Sequence, residues 1–150
     1  MEFCANGALV VSQALQRTTL AAMVDTDGLL DGAKIKLFQN DLVPSPTTVI
    51  GDLTVASFAG YAAQDADWGT VYNMPDGGAG VVSPTDPFVA TGVGLPQTIY
   101  GFYFTDTAGT ALLGVRRLAE PQTVNVAGDA VQINAEYYLP GPVGDVVPVV

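Results

Sequence analysis

From residue 33 to residue 139 apolar side chains recur at every second position in short runs, and Gly and Pro separate the runs. A period of two predicts strands with one face turned to a core. In Ala33–Gln39 the alternation puts Ile35 and Leu37 on one face and Lys34, Lys36 and Phe38 on the other. Asn40–Pro46 reads as a loop, because Pro44 and Pro46 have no backbone donor for a ladder. Asp52–Phe58 reads as a helical turn or a short strand, with Asp52 and Thr54 as caps. Further strands are predicted at Tyr61–Tyr72, Pro87–Thr91, Thr98–Thr105, Thr110–Leu118, Gln122–Val126 and Ala130–Leu139, with a flexible turn at Pro75–Gly80. Two hairpins follow: Ile99–Thr105 to Ala111–Val115 through Asp106–Gly109, and Thr123–Val126 to Val131–Ala135 through Ala127–Asp129. Gly101, inside an aromatic strand, predicts a bulge or a close cross-strand neighbour.

The two ends follow other patterns. Phe3–Val24 carries one charge, Arg17, and no proline. Cys4, Ala8, Val11, Leu15 and Ala22 form a helical stripe, which Leu9, Val10, Leu20 and Met23 widen. The predicted helix ends at the turn Asp25–Gly28. It packs on its own domain or docks on a neighbouring subunit, and in the second case Val11, Leu15 and Leu20 make the contact. Its polar residues make a membrane span unexpected. Glu2 stands where a signal peptide would be basic, so no leader is expected either. The tail from Pro140 to Val150 holds three prolines and two glycines, which forbid a helix, and five valines, which suit poorly a solvated linker. It reads as a frayed terminus or as an extended arm resting on another surface through Val143, Val146, Val147, Val149 and Val150. The expected architecture is mainly β: a β-sandwich or jelly-roll-like core over 33–139, an N-terminal helical segment and turn over 1–32, and an extended arm over 140–150.

Charge and composition narrow the function. Five basic and fifteen acidic residues leave a net charge of −10. A chain so acidic offers no phosphate-binding face, so nucleic acid and anionic membranes are poor partners. With no His, neither a Ser-His-Asp nor a Cys-His site can be built, nor a His-ligated metal site. Cys4 is the single cysteine, which excludes an intrachain disulfide. A mean hydropathy of +0.34 in so acidic a chain suggests burial against partners, and a homo-oligomer is expected.

Few residues could carry chemistry. Asp25, Asp27 and Asp31 invite a calcium reading, but the third carboxylate arrives too early for an EF-hand loop and no Glu closes it, so turn and cap is the expectation. Asp65 and Asp67 beside Trp68 could contact a sugar, yet residues two apart lack the opposed geometry of a glycosidase. A polar loop with Trp68 plugging the core is the simpler reading. Tyr61, Trp68 and Tyr72 remain candidates for a carbohydrate-stacking platform, as on a tail-fibre module. Arg116 and Arg117 point to opposite strand faces, one to pair with an acid and one to be solvated. No catalytic residue, cofactor or metal is expected.

One stretch carries a resemblance. Leu37-Phe38, Asn40-Asp41, Pro44, Pro46, Asp52-Leu53-Thr54, Ala56-Ser57-Phe58 and Gly60-Tyr61 follow one another in a pattern that continues through Trp68-Gly69, Thr105-Asp106, Gly109 and Arg117-Leu118. The pattern resembles small structural proteins of tailed bacteriophages, over roughly residues 30 to 139. The resemblance implies a non-enzymatic virion protein, a head decoration or cement protein bound to the major capsid protein or other virion proteins. It would be made in the host cytoplasm and sit on the capsid surface. The Pro-Val tail has no counterpart in the pattern.

Overall fold

The computed structural model describes residues 12–140, and over these residues the chain is mainly β with one α-helix ahead of the strands. Strand β6 (Gln97–Thr105) organises the first sheet. It pairs antiparallel with β1 (Lys34–Phe38) on one side and with β7 (Leu112–Val124) on the other. A two-residue strand, β2 (Gln64–Asp65), completes the order β2-β1-β6-β7. Alternation turns Ile35, Leu37, Phe102 and Phe104 toward the main core, where Phe88, Val131, Ile133 and Ala135 meet them. The opposite face is buried as well. Phe38 and Tyr103 lie there with ring centroids 6.5 Å apart, and Leu42, Ile50 and Leu53 of the segment after β1 close over them. Cover on both faces explains why β6 is buried without a break from Gly101 to Thr105.

The second sheet has the order β3-β4-β9, from β3 (Tyr72–Asn73), β4 (Ala79–Pro84) and β9 (Asn134–Leu139). Two short strands, β5 (Phe88–Val89) and β8 (Ala130–Val131), form a separate ladder. Helix α1 (Gln13–Val24) starts where the Ser12 hydroxyl accepts a hydrogen bond from the Leu15 amide. It packs against β4: Leu20 joins Leu30, Ala79 and Val81 in a second apolar cluster, with Met23 and Val24 at its margin. Burying one such leucine contributes roughly 1.5–3 kcal/mol.

Several sequence expectations need correction. The buried helix face runs through Gln16, Leu20, Met23 and Val24, one turn-spacing apart; the expected stripe through Leu15 and Ala22 faces solvent. Leu20 is fully buried in its own chain and is no subunit contact. The helix therefore packs on its own domain over its described length. Expected helix residues 3–11 and the whole arm after Pro140 lie outside the described residues, and with them Val11, Val143, Val146, Val147, Val149 and Val150.

The expected strands at Thr110–Leu118 and Gln122–Val126 are one strand, β7, which passes through Pro121. Its register against β6 slips between Ile99↔Gln122 and Gly101↔Arg117, so Pro121 sits in a bulge on an edge strand and removes no ladder bond. The second expected hairpin keeps its turn, which Asp129 closes by accepting from the Asn125 and Val126 amides. Its strands, however, part: β8 pairs with β5 and β9 with β4. β4 begins within the expected turn Pro75–Gly80 and runs on through residues for which the sequence predicts no element. Tyr61–Tyr72 holds only β2 and the start of β3. The first hairpin and both readings of Gly101 stand. A Cβ at Gly101 would overlap the Arg116 carbonyl oxygen and lie 2.5 Å from Phe38 Cε1 and Cζ.

Candidate functional site

The three aromatic candidates do not form a platform. Trp68 turns inward, its ring centroid 5.3 Å from Phe104 and 6.3 Å from Tyr137, and its Nε1 donates to the Leu30 carbonyl at 2.9 Å. Tyr61 stacks on Phe88 at 5.8 Å, and its hydroxyl accepts the Leu37 amide at 3.1 Å. Burial pushes the Tyr61 hydroxyl up to about 12, a shift that the Leu37 amide opposes. Tyr72 lies elsewhere, over Gly80, with its hydroxyl donating to Glu136. Two of the three rings are thus core packing, and a sugar has no common surface on which to stack.

The carboxylates are engaged in local structure. Asp25 accepts from the Thr26 amide, and Asp31 accepts from the Asp27 amide across a turn in which Asp27 has φ 66°. Asp65 pairs with Lys34 across β2 and β1. Asp67 enters through its amide, which donates to the buried Ser83 hydroxyl at 2.7 Å. Among the described residues no group of three His, Cys, Asp or Glu side chains converges as a metal site would require.

A feature unseen in the sequence lies where the two sheets meet at their edges. β7 ends one sheet and β9 ends the other. The Tyr137 hydroxyl donates across the gap to the Leu113 carbonyl at 2.9 Å, and Tyr137 packs within 3.0 Å of where a Gly114 Cβ would lie. Arg116 reaches Glu136 Oε1 at 3.3 Å and lies 5.9 Å from the Tyr138 ring centroid. Glu136 takes the Tyr72 hydroxyl on its other oxygen. Burial raises the Tyr72 hydroxyl to about 12, and the neighbouring Glu136 adds to the shift. These residues border a groove of about 290 Å³ that ends at Pro140. Arg117, on the opposite face, holds Asp41 at 2.6 Å and the Leu42 carbonyl at 3.0 Å and stacks over Tyr100. Both arginines are therefore paired with an acid, where only one was expected to be, and Arg116, its side chain 51% exposed, is also the solvated one. Partners 20 and 75 residues away leave no local sequence signal.

The remaining distinctive surface is apolar. Val43, Val49 and Val55 stand exposed on the segment that covers the first sheet, and Val89, Val93 and Val126 stand exposed around the β5–β8 ladder. Leu15 is 55% exposed on α1. No family model matches the chain, and neither a curated protein nor a solved structure matches it.

Proposed function

We propose that the chain is a non-enzymatic structural protein of a bacteriophage virion, a capsid decoration or cement protein that binds across subunits of the major capsid protein. The observation that carries this reading is the build of the segment from Gln39 to Phe58, where the resemblance is densest. Its polar residues serve its own rigidity. Asn40 donates to the Asp52 carbonyl at 2.9 Å and accepts the Thr54 amide at 2.8 Å; Asp52 accepts the Val49 amide at 2.9 Å. Leu42, Ile50 and Leu53 point inward as a lid on Phe38 and Tyr103. What the lid presents outward is Val43, 73% exposed, and Val49, 58% exposed. A hydrogen-bonded scaffold that displays valines has the chemistry of a contact surface.

The acidic charge and the high hydropathy support the same reading. Each contact contributes roughly 25 cal/mol per Å² of apolar surface, and many copies on one particle multiply small contacts into firm attachment. The test is co-sedimentation of purified protein with heads stripped of it, comparing the native chain with Val43→Asp and Val49→Asp. Weakened sedimentation with an unchanged circular dichroism spectrum is expected. Full binding by both variants would overturn the assignment of this surface.

A further inference from the structure

We propose that Asp31–Gly32 is a self-modification site, at which the folded chain converts Asp31 to isoaspartate through a succinimide. The described residues hold three Asp-Gly pairs: Asp27–Gly28, Asp31–Gly32 and Asp76–Gly77. A glycine after aspartate offers its carboxyl an unhindered amide nitrogen, so by sequence the three pairs are alike. The structure separates them. The Gly28 amide donates to the Asp25 carbonyl at 2.8 Å, and a Cβ at Gly28 would overlap the Ala22 and Met23 carbonyl oxygens, so this backbone has no room to swing. The Gly77 amide donates to the Met74 carbonyl at 3.1 Å, and the Asp76 carboxylate reaches past it to accept from the Gly78 amide at 2.8 Å.

Asp31–Gly32 differs on each count. Both residues are exposed. The Gly32 amide donates to no group among the described residues, which leaves its nitrogen free to turn toward the carboxyl. The Asp27 amide, presented from a residue with φ 66°, donates to Asp31 Oδ2 at 3.0 Å. Negative charge develops on that oxygen when a nucleophile adds to Cγ, and a fixed N–H about 2.7–3.1 Å away stabilises it. Oδ1 then takes a proton and departs. The Gly32 nitrogen bonds to Asp31 Cγ, and the carboxyl hydroxyl leaves with the amide proton as water, which closes the succinimide. Water reopens the ring. Hydrolysis of the Cγ–N bond restores aspartate, whereas hydrolysis between the α-carbonyl and the nitrogen routes the main chain through Cβ and Cγ. The product disturbs a buried turn. Leu30 and Ala33 are fully buried, and the Ala33 amide donates to the Leu30 carbonyl at 3.2 Å, the same carbonyl that takes Trp68 Nε1. An extra methylene between Leu30 and Ala33 opens that turn.

The inference is independent of the virion reading, and the purified full-length protein tests it. The chain is aged in dilute buffer and, in parallel, in guanidinium chloride, and isoaspartate is placed residue by residue by electron-transfer fragmentation of its peptides. In the denaturant the three pairs should rearrange at comparable rates. In the folded chain Asp31 should lead Asp27 and Asp76 several-fold. The melting temperature of the aged native chain should fall, while that of equally aged Asp31→Glu should hold, because glutamate must close a six-membered ring. If that variant fails to fold by circular dichroism, the ratio among the three native pairs still decides. Comparable rates at the three pairs in the folded chain would overturn the inference. So would a lead by Asp27 or Asp76, or a folded chain without isoaspartate at Asp31 once the denatured chain has formed it.

Discussion

Replacing Trp68 with alanine should destabilise the domain by about 3 kcal/mol. Trp-to-Ala changes in cores cost ~3–5 kcal/mol, and the lower end applies because the indole is only partly buried. The ring touches both main clusters, with Phe104 and Tyr137 on one side and the Leu30 loop on the other. Trp68→Phe separates the terms. It keeps an aromatic ring against Phe104 and removes the Nε1 donor. The Leu30 carbonyl is not orphaned, because the Ala33 amide also reaches it at 3.2 Å. The phenylalanine variant should therefore lose about 1–2 kcal/mol. For a domain of this size 1 kcal/mol moves Tm by about 2–4 °C, so alanine should lower Tm by roughly 6–12 °C and phenylalanine by roughly 2–8 °C. Urea titration followed by circular dichroism measures both. Trp68 is the only tryptophan, so the emission of the native protein also reports its packing and should shift to the red on unfolding. A surface stacking residue would behave differently. If Trp68→Ala falls within ~0.5 kcal/mol of the native chain, the ordinary range for surface changes, the plug account is refuted.

Gly101→Ala should cost about 1–3 kcal/mol in the same titration, because the new methyl meets a backbone oxygen that cannot move aside without breaking the β6–β7 ladder. Tyr61→Phe should cost about 1–3 kcal/mol by leaving the buried Leu37 amide without its acceptor, and a neutral result would refute that bond. Tyr61 and Tyr72 have folded-state values of about 12 against an ordinary 10, so the folded chain holds more protons than the unfolded one between those limits. Stability should accordingly be intact below pH 10 and fall as pH rises from about 10 to about 12, as thermal melts across that range measure. At ~0.5 M salt, where the Debye length is about 4–5 Å by interpolation, association with stripped heads should persist or strengthen; release at moderate salt would mean that a basic partner surface holds the protein by charge.

The strands that the sequence revealed are those in which side-chain alternation and turn chemistry agree. Ile35 and Leu37, or Thr98–Thr105 followed by Asp106 and Gly109, carry both signals, and Asp106 accepts the Thr110 and Ala111 amides as a turn residue should. β4 was hidden because Ala79, Gly80, Ser83 and Pro84 have weak strand preference, and its place between β3 and β9 comes from tertiary packing. The buried helix face departs from the hydropathy stripe because Gln16 points inward with Leu20; hydropathy alone ranks Leu15 as the more buried residue, and packing against Ala79 and Val81 decides otherwise. The expected strands Thr110–Leu118 and Gln122–Val126 are continuous through Pro121, because an edge position with a bulge tolerates a proline. The groove between β7 and β9 is illegible for a further reason: Arg116 comes from β7 and Glu136 from β9, 20 residues on, and only the meeting of two sheet edges brings them together.

On the proposed reading, this protein is a repeated structural component attached to a virus head. Quantitative mass spectrometry of purified particles, with the major capsid protein as the internal standard, measures its copy number directly. The account predicts hundreds of copies per particle, with the protein removed when Val43 and Val49 are both replaced by aspartate. A handful of copies would indicate a fibre or a vertex component, and its absence from intact particles would contradict the account altogether.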